Sequence, residues 1–183
     1  MTMVRVILTK LRRLIFRGLF ARAKVHVERG NELSNAGDHH MAIESYDRAI
    51  ALDEGYAEAY KFRGDAYRHL GQDDLAIADY TEAIRLDPEY FGSYHSRGNV
   101  YIRLGEHHLA IADYTEAIRL DPEYPGSYRN RGIVYENLEQ RELAIADYTE
   151  AIRLDPEYDA AYHSRGIAYR NLEKYDLALK DLT

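Results

Sequence analysis

Along residues 57–90 the apolar and small positions fall into two helical stripes separated by a short turn. Tyr60, Arg63, Gly64, Tyr67 and Leu70 recur at steps of three and four, which sets them on one face of a helix. After Gly71-Gln72, the positions Leu75, Ala76, 78–83 and Ile84 give a second amphipathic helix. Asp87-Pro88 ends it, because proline has no backbone donor and disfavours helical geometry in the residue before it. No segment alternates with period two for long, so the expected fold class is all-α. The pattern predicts paired helices over 58–70 and 74–86, 92–104 and 108–120, and 126–138 and 142–154.

The same pattern returns. LAIADYTEAIRLDPEY stands at 75–90, 109–124 and 143–158, 34 residues apart, and a degenerate copy, MAIESYDRAIALDEGY, stands at 41–56. The other half of the unit repeats as YKFRGDAY at 60–67, YHSRGNVY at 94–101, YRNRGIVY at 128–135 and YHSRGIAY at 162–169, with HVERGNEL at 26–33 the weaker copy. The units predicted are 23–56, 57–90, 91–124, 125–158 and an incomplete 159–183. A helical hairpin cannot bury its apolar face alone, so neighbouring units must stack.

Each unit carries a glycine inside its first helix, at Gly30, Gly64, Gly98, Gly132 and Gly166. Glycine there costs about 1 kcal/mol relative to alanine. A close approach of the second helix is the expected reason, with Ala76, Ala110, Ala144 and Ala178 facing the glycines and Tyr80, Tyr114 and Tyr148 filling the space beside them. A buried tyrosine also needs a partner for its hydroxyl.

These residues resemble the tetratricopeptide repeat family. Tyr60, Arg63-Gly64, Tyr67, Ala76, Tyr80, Ala83 and Pro88 match its signature in one unit. Tyr94, Gly98, Tyr101, Ala110, Tyr114, Ala117 and Pro122 match in the next, and Tyr128, Gly132, Tyr135, Ala144, Tyr148, Ala151 and Pro156 in the one after. The resemblance covers residues 23–183. Arginine stands where the family usually has leucine, at 29, 63, 97, 131 and 165, and Glu54 replaces the proline of the first unit. The resemblance implies stacked antiparallel helix pairs in a right-handed α-solenoid. It also implies a groove, lined by the first helices, that binds a peptide or partner helix, and a scaffold or adaptor in place of a catalyst.

Within the copies, the second helix hardly varies and the first helix does. One varying column is Lys61, His95, Arg129, His163; a second is Asp65, Asn99, Ile133, Ile167; a third is His69, Arg103, Asn137, Asn171. Gly92, Gly126 and Ala160 are expected to leave room beside them. The candidate peptide-binding residues are Lys61, His95, Asn99, Arg103, Arg129, Asn130 and His163. A basic column in an acidic chain points to an acidic peptide; the competing reading is solvent-facing drift after duplication. Some family members hold a terminal carboxylate with a lysine, asparagine and arginine set. His95, Asn99 and Asn130 match part of it, but Ala160 and Ser164 stand where its cations belong, so that clamp is not expected. The arginine column reads as structural, with Asp79, Asp113 and Asp147 as partners, within a unit or across to the next.

Charge divides the chain. Residues 1–24 hold seven basic and no acidic side chains, leaving 17 basic against 31 acidic groups, a net charge of −14, in the rest. So acidic a body is a poor nucleic-acid binder. With no cysteine there is neither a disulfide nor a thiolate metal site. His39-His40 and His107-His108 are not expected to make a metal site, and no cofactor is expected. No phosphate loop, His-Glu-x-x-His run or nucleophile turn occurs.

Residues 1–22 form a basic amphipathic segment with Val4, Ile7, Leu8, Leu11, Leu14, Ile15 and Leu19 on one helical face. Three readings stay open: a helix capping the first repeat, a membrane-surface contact through residues 4–20, and an organelle-targeting segment. The expectation is a cytoplasmic, non-catalytic adaptor, with a membrane-associated adaptor or a regulatory fragment of a larger protein as alternatives. The incomplete fifth unit adds an expectation of self-association or fraying beyond Tyr175.

Overall fold

A computed structural model describes the backbone of residues 2–183 and the side chains of residues 18–183. Among the described residues the chain is helical throughout and has no strand. It divides into two compact units, residues 1–88 and 89–183. The first holds α1 (Thr2–Asn35), α2 (His39–Leu52), α3 (Ala57–His69) and α4 (Asp73–Leu86). The second holds α5 (Phe91–Leu104), α6 (His107–Leu120), α7 (Pro125–Asn137), α8 (Arg141–Leu154), α9 (Asp159–Asn171) and α10 (Tyr175–Leu182). Each odd helix pairs with the next even one. Within a unit each pair stacks on its neighbour, with first helices side by side in α1–α3, α5–α7 and α7–α9.

The expected hairpins are present, each boundary within a residue of the sequence reading. Asp53, Asp121 and Asp155 then turn the chain: each carboxylate accepts from the backbone N–H two residues on, at 3.0, 3.2 and 3.1 Å. At the N-terminus α1 passes without a break through residues 22 and 23. The apolar face of residues 4–17, on which the capping, membrane and targeting readings rest, lies outside the described side chains.

The core is built of small residues and tyrosine. Ala42, Ala76, Ala110 and Ala144 are fully buried, as are Ala49, Ala83, Ala117 and Ala151. The mid-helix glycines serve close approach, but the tightest neighbour is the tyrosine and not the alanine. A Cβ on Gly64 would lie 2.9 Å from the Tyr80 ring, and on Gly132 2.6 Å from the Tyr148 ring, while the Ala76 and Ala144 carbonyl oxygens lie farther, at 3.3 and 3.2 Å.

The arginine column is structural in geometry. Arg63, Arg97, Arg131 and Arg165 each grip the aspartate 16 residues on, Asp79, Asp113, Asp147 and Asp181, through Nε and Nη2 at 2.7–2.8 Å. The third nitrogen reaches the preceding hairpin: Arg131 Nη1 donates to Thr115 and Arg165 Nη1 to Thr149, at 3.0 and 3.1 Å. The Arg63, Arg131 and Arg165 pairs therefore act both within their own repeats and across to the one before. Tyrosines three before and four after flank every guanidinium, as Tyr128 and Tyr135 flank Arg131 at 6.0 and 5.9 Å. In the degenerate first repeat Ser45 stands in the aspartate's place, and Arg29 pairs instead with Glu32 on the surface.

The hairpin turns carry a backbone constraint. Gly37, Gly71 and Gly105 have φ of 84°, 71° and 76°, and the same position in the last two hairpins holds Glu139 and Glu173, each with φ 59°. A side chain in the left-handed region costs roughly 1–2 kcal/mol, which glycine's extra unfolded-state entropy only partly offsets. Glu139→Gly is therefore expected to stabilise the chain by about 0.5–1 kcal/mol, read as a higher urea midpoint at an unchanged slope.

Candidate functional site

In the second unit, α5, α7 and α9 form one continuous first-helix face, and the varying columns lie on it. His95 is partly buried: its Nδ1 hydrogen-bonds the buried Ser127 hydroxyl at 3.0 Å, and its ring meets Tyr114 and Tyr124 edge-on at 5.5 and 5.2 Å. Asn99 Oδ1 accepts from both the Tyr114 hydroxyl, at 2.7 Å, and the Asn130 amide, at 2.8 Å. Arg129 donates to the Ala160 carbonyl at 3.3 Å and to Asn130 Oδ1 at 3.4 Å, with its guanidinium 6.0 Å from the Tyr158 ring. Among the described residues no carboxylate pairs with it. His163 and Arg103 are exposed. Asn171 closes one margin by donating to Glu136 Oε1 at 2.8 Å.

In the first unit, Lys61 is an ion-pair member. Its ammonium lies 2.7 Å from Asp65 Oδ2 and 4.7 Å from the Phe62 ring centre, and its side chain is 15% exposed. A polar cleft of about 350 Å³ opens beside this pair, lined by Asn31, Ser34, Asn35, Phe62, Asp65 and Arg68 among others.

The space expected beside the basic column is filled. A Cβ on Gly92 would lie 3.1 Å from the Tyr90 ring, and one on Gly126 2.8 Å from the Tyr124 ring. The tyrosine that closes each Asp-Pro-Glu-Tyr string is the N-cap of the next first helix, and Tyr90 and Tyr124 fold back over the glycine two positions on. Tyr124 also packs on Phe91 at 5.2 Å, and so contributes an aromatic rim to the face. The signal was present in the sequence as a glycine two residues after a tyrosine, in two copies.

Burial pushes the Tyr46, Tyr80, Tyr114 and Tyr148 hydroxyls well above their ordinary value. All four are neutral donors at any physiological pH. Among the described residues no cluster of three or more histidine or acidic side chains is placed to hold a metal ion. Among the described residues no helix is long and apolar enough to cross a membrane.

Stacked hairpins with a glycine–tyrosine contact and a varying first-helix face define a helical-repeat protein. The TPR repeat family matches at residues 64–105 and 98–139, and tetratricopeptide repeat signatures match at 23–56, 126–158 and 147–180. The chain belongs to the tetratricopeptide repeat family, whose members generally mediate protein–protein interaction as scaffolds. It is similar to the crystal structure of MamA protein, with a TM-score of 0.77, 26% identity and 88% of each chain covered. It also resembles YrrB, described as a TPR protein with an unusual peptide-binding site, at a TM-score of 0.70 and 24% identity over 86% of this chain and 81% of that one. Pseudomonas aeruginosa PilF shares the fold at a TM-score of 0.84 and 17% identity, over 90% of this chain and 75% of that one. A search of curated proteins returned no match.

Proposed function

We propose that this chain is a non-catalytic cytoplasmic adaptor that holds an acidic segment of a partner protein against the first-helix face of α5, α7 and α9. One observation carries the reading. Arg129 is half-buried and His163 exposed on a strongly acidic chain, and among the described residues neither has a carboxylate partner. The arginines of the structural column, by contrast, each grip a carboxylate. An unneutralised cation attracts an acidic ligand locally, where the rest of the acidic body does not. His95, Asn99, Arg103 and Asn130 complete the proposed contact set, and Lys61 is a separate contact on the first unit, reached by exchanging its bond to Asp65.

Fluorescence anisotropy with labelled 12-residue peptides carrying four glutamates, against the same peptides with glutamine, tests the reading. The acidic set is expected to bind more tightly, and to weaken several-fold as salt rises and exposed charges are screened. Arg129→Gln is expected to abolish most of the difference between the two sets. Equal binding of both sets at all salt concentrations would refute the acidic preference.

A further inference from the structure

The third residue of every even-numbered helix is large, apolar and exposed. Met41, Leu75, Leu109, Leu143 and Leu177 stand there, each between 45% and 49% exposed. The alanine that follows is buried in all five copies and packs the hairpin. The two residues before it change character freely: His39-His40, Asp73-Asp74, His107-His108, Arg141-Glu142 and Tyr175-Asp176. A single exposed leucine is ordinary. One that recurs in every copy, next to positions that drift between charges, marks a surface that meets something.

In the second unit three such leucines lie on the outer faces of α6, α8 and α10. Ala112 and Ala146, one turn beyond Leu109 and Leu143, are exposed as well, and so small a residue lets another helix come close. In the first unit there are two such helices, and Glu44 stands one turn beyond Met41. The stripe repeats at the spacing of the hairpins. A surface that meets all three leucines must share that spacing, and the same face of a second copy shares it by construction.

The flanking charges select how two copies meet. From α6 to α10 the leading residues run from His107-His108, through Arg141-Glu142, to Tyr175-Asp176. A two-fold axis running along α8 sets α6 opposite α10 of the second copy. His108 then faces Asp176 of that copy, and Arg141, held only loosely by Glu136 at 3.8 Å, faces its Glu142. An imidazole N–H donates to a carboxylate whether or not the ring is charged. A two-fold axis along the stripe would instead set each helix against itself, Asp176 against Asp176. Complementary charges fix register in this way. Three helices roughly 10 Å wide, of 14, 14 and 8 residues, offer on the order of 500 Å² per copy, at the low end of specific interfaces.

We infer that the outer faces of α6, α8 and α10 are a self-recognition surface, on which a second copy of this chain docks about a two-fold axis along α8 with Leu143 at the centre. The inference uses no residue of the peptide-binding reading and stands apart from it.

Sedimentation velocity of the full chain over a wide concentration range tests it. The wild type is expected to pass from monomer to dimer as concentration rises. Leu143→Lys is expected to weaken the dimer about tenfold or more, because the two-fold axis removes two leucine contacts at once and sets two ammonium groups side by side. Its melting temperature in dilute solution should hold, since Leu143 is exposed. Leu75→Lys, the same change in an identical stretch of the first unit, should leave the dimer unaltered. His108→Asp and Asp176→Lys should each weaken it about two- to fivefold, and the double variant should recover the wild-type value. A monomer at every concentration overturns the inference and leaves the stripe to a different protein. A dimer that Leu143→Lys does not weaken, or that Leu75→Lys weakens as much, overturns the assigned face. Failure of the double variant to recover overturns the two-fold register.

Discussion

Asp147→Ala is expected to cost about 3–5 kcal/mol, among the largest losses open to a single side chain in this protein, because it strands a guanidinium inside the helix stack. Arg131 is 17% exposed and Asp147 10% at the side chain, and the two are joined by a pair of 2.8 Å bonds. Burial pulls the Arg131 pKa down, but the hydrogen bonds and charge of Asp147 more than offset this and hold it above its ordinary value. Removing the aspartate leaves the desolvation unopposed. Urea unfolding followed by circular dichroism reads the loss. Glu150→Ala is the control, since Glu150 and Arg153 pair on the surface at 36% and 62% exposure and such pairs contribute about 0–1 kcal/mol. Replacing both partners, as Arg131→Met with Asp147→Leu, should recover much of the loss, because no charge is then left alone. Equal, small losses for Asp147→Ala and Glu150→Ala would show that the arginine column contributes nothing beyond a surface pair.

The reason the pairing was legible in the sequence also marks where legibility ends. Arg131 and Asp147 recur together at a fixed offset of 16 residues, so the repeats act as four readings of one interface. Helix limits were equally open, because Asp-Pro, a turn glycine or both punctuate each of the first four units. The repeats could not tell that Arg63, Arg131 and Arg165 also reach the previous hairpin, since a 34-residue period fixes offsets within the array and not which copy a free nitrogen meets. They also hid the N-cap tyrosines. In Asp-Pro-Glu-Tyr the first three residues announce a turn, and nothing local says that Tyr124 folds back over Gly126 and onto His95. Lys61 and Arg129 share a column, yet one is neutralised by Asp65 and the other is not. The difference lies four residues on, where Asp65 gives way to Ile133. By that same replacement Tyr148 packs against Ile133, where Tyr114 donates to Asn99. The column was visible from the sequence, and its meaning needed the hydroxyl that lies beneath it.

Gly132→Ala tests whether the mid-helix glycine serves packing. In an unpacked helix the change would gain about 1 kcal/mol. Here the added Cβ would lie 2.6 Å from Tyr148 Cε1, 2.9 Å from Cδ1 and 3.2 Å from the Ala144 carbonyl oxygen. Tyr148 is 2% exposed and has nowhere to swing, so the α7–α8 hairpin must open to admit the methyl group. Overpacking a tight contact costs about 1–3 kcal/mol. The expected net effect is a loss of up to about 2 kcal/mol, and Gly132→Leu should be worse still. Gly18, in α1 with nothing within 4 Å of its added Cβ, should show the opposite sign and gain up to about 1 kcal/mol on the same substitution. Gly166 should fall between them. The atoms its Cβ would meet belong to the Leu182 side chain, which is 44% exposed and free to turn aside. Urea midpoints for the three alanine variants therefore order as Gly132 lowest, Gly166 next and Gly18 highest. A gain at Gly132 equal to that at Gly18 would mean that the tyrosine yields without cost, and that the glycine column has a cause other than the ring packed against it.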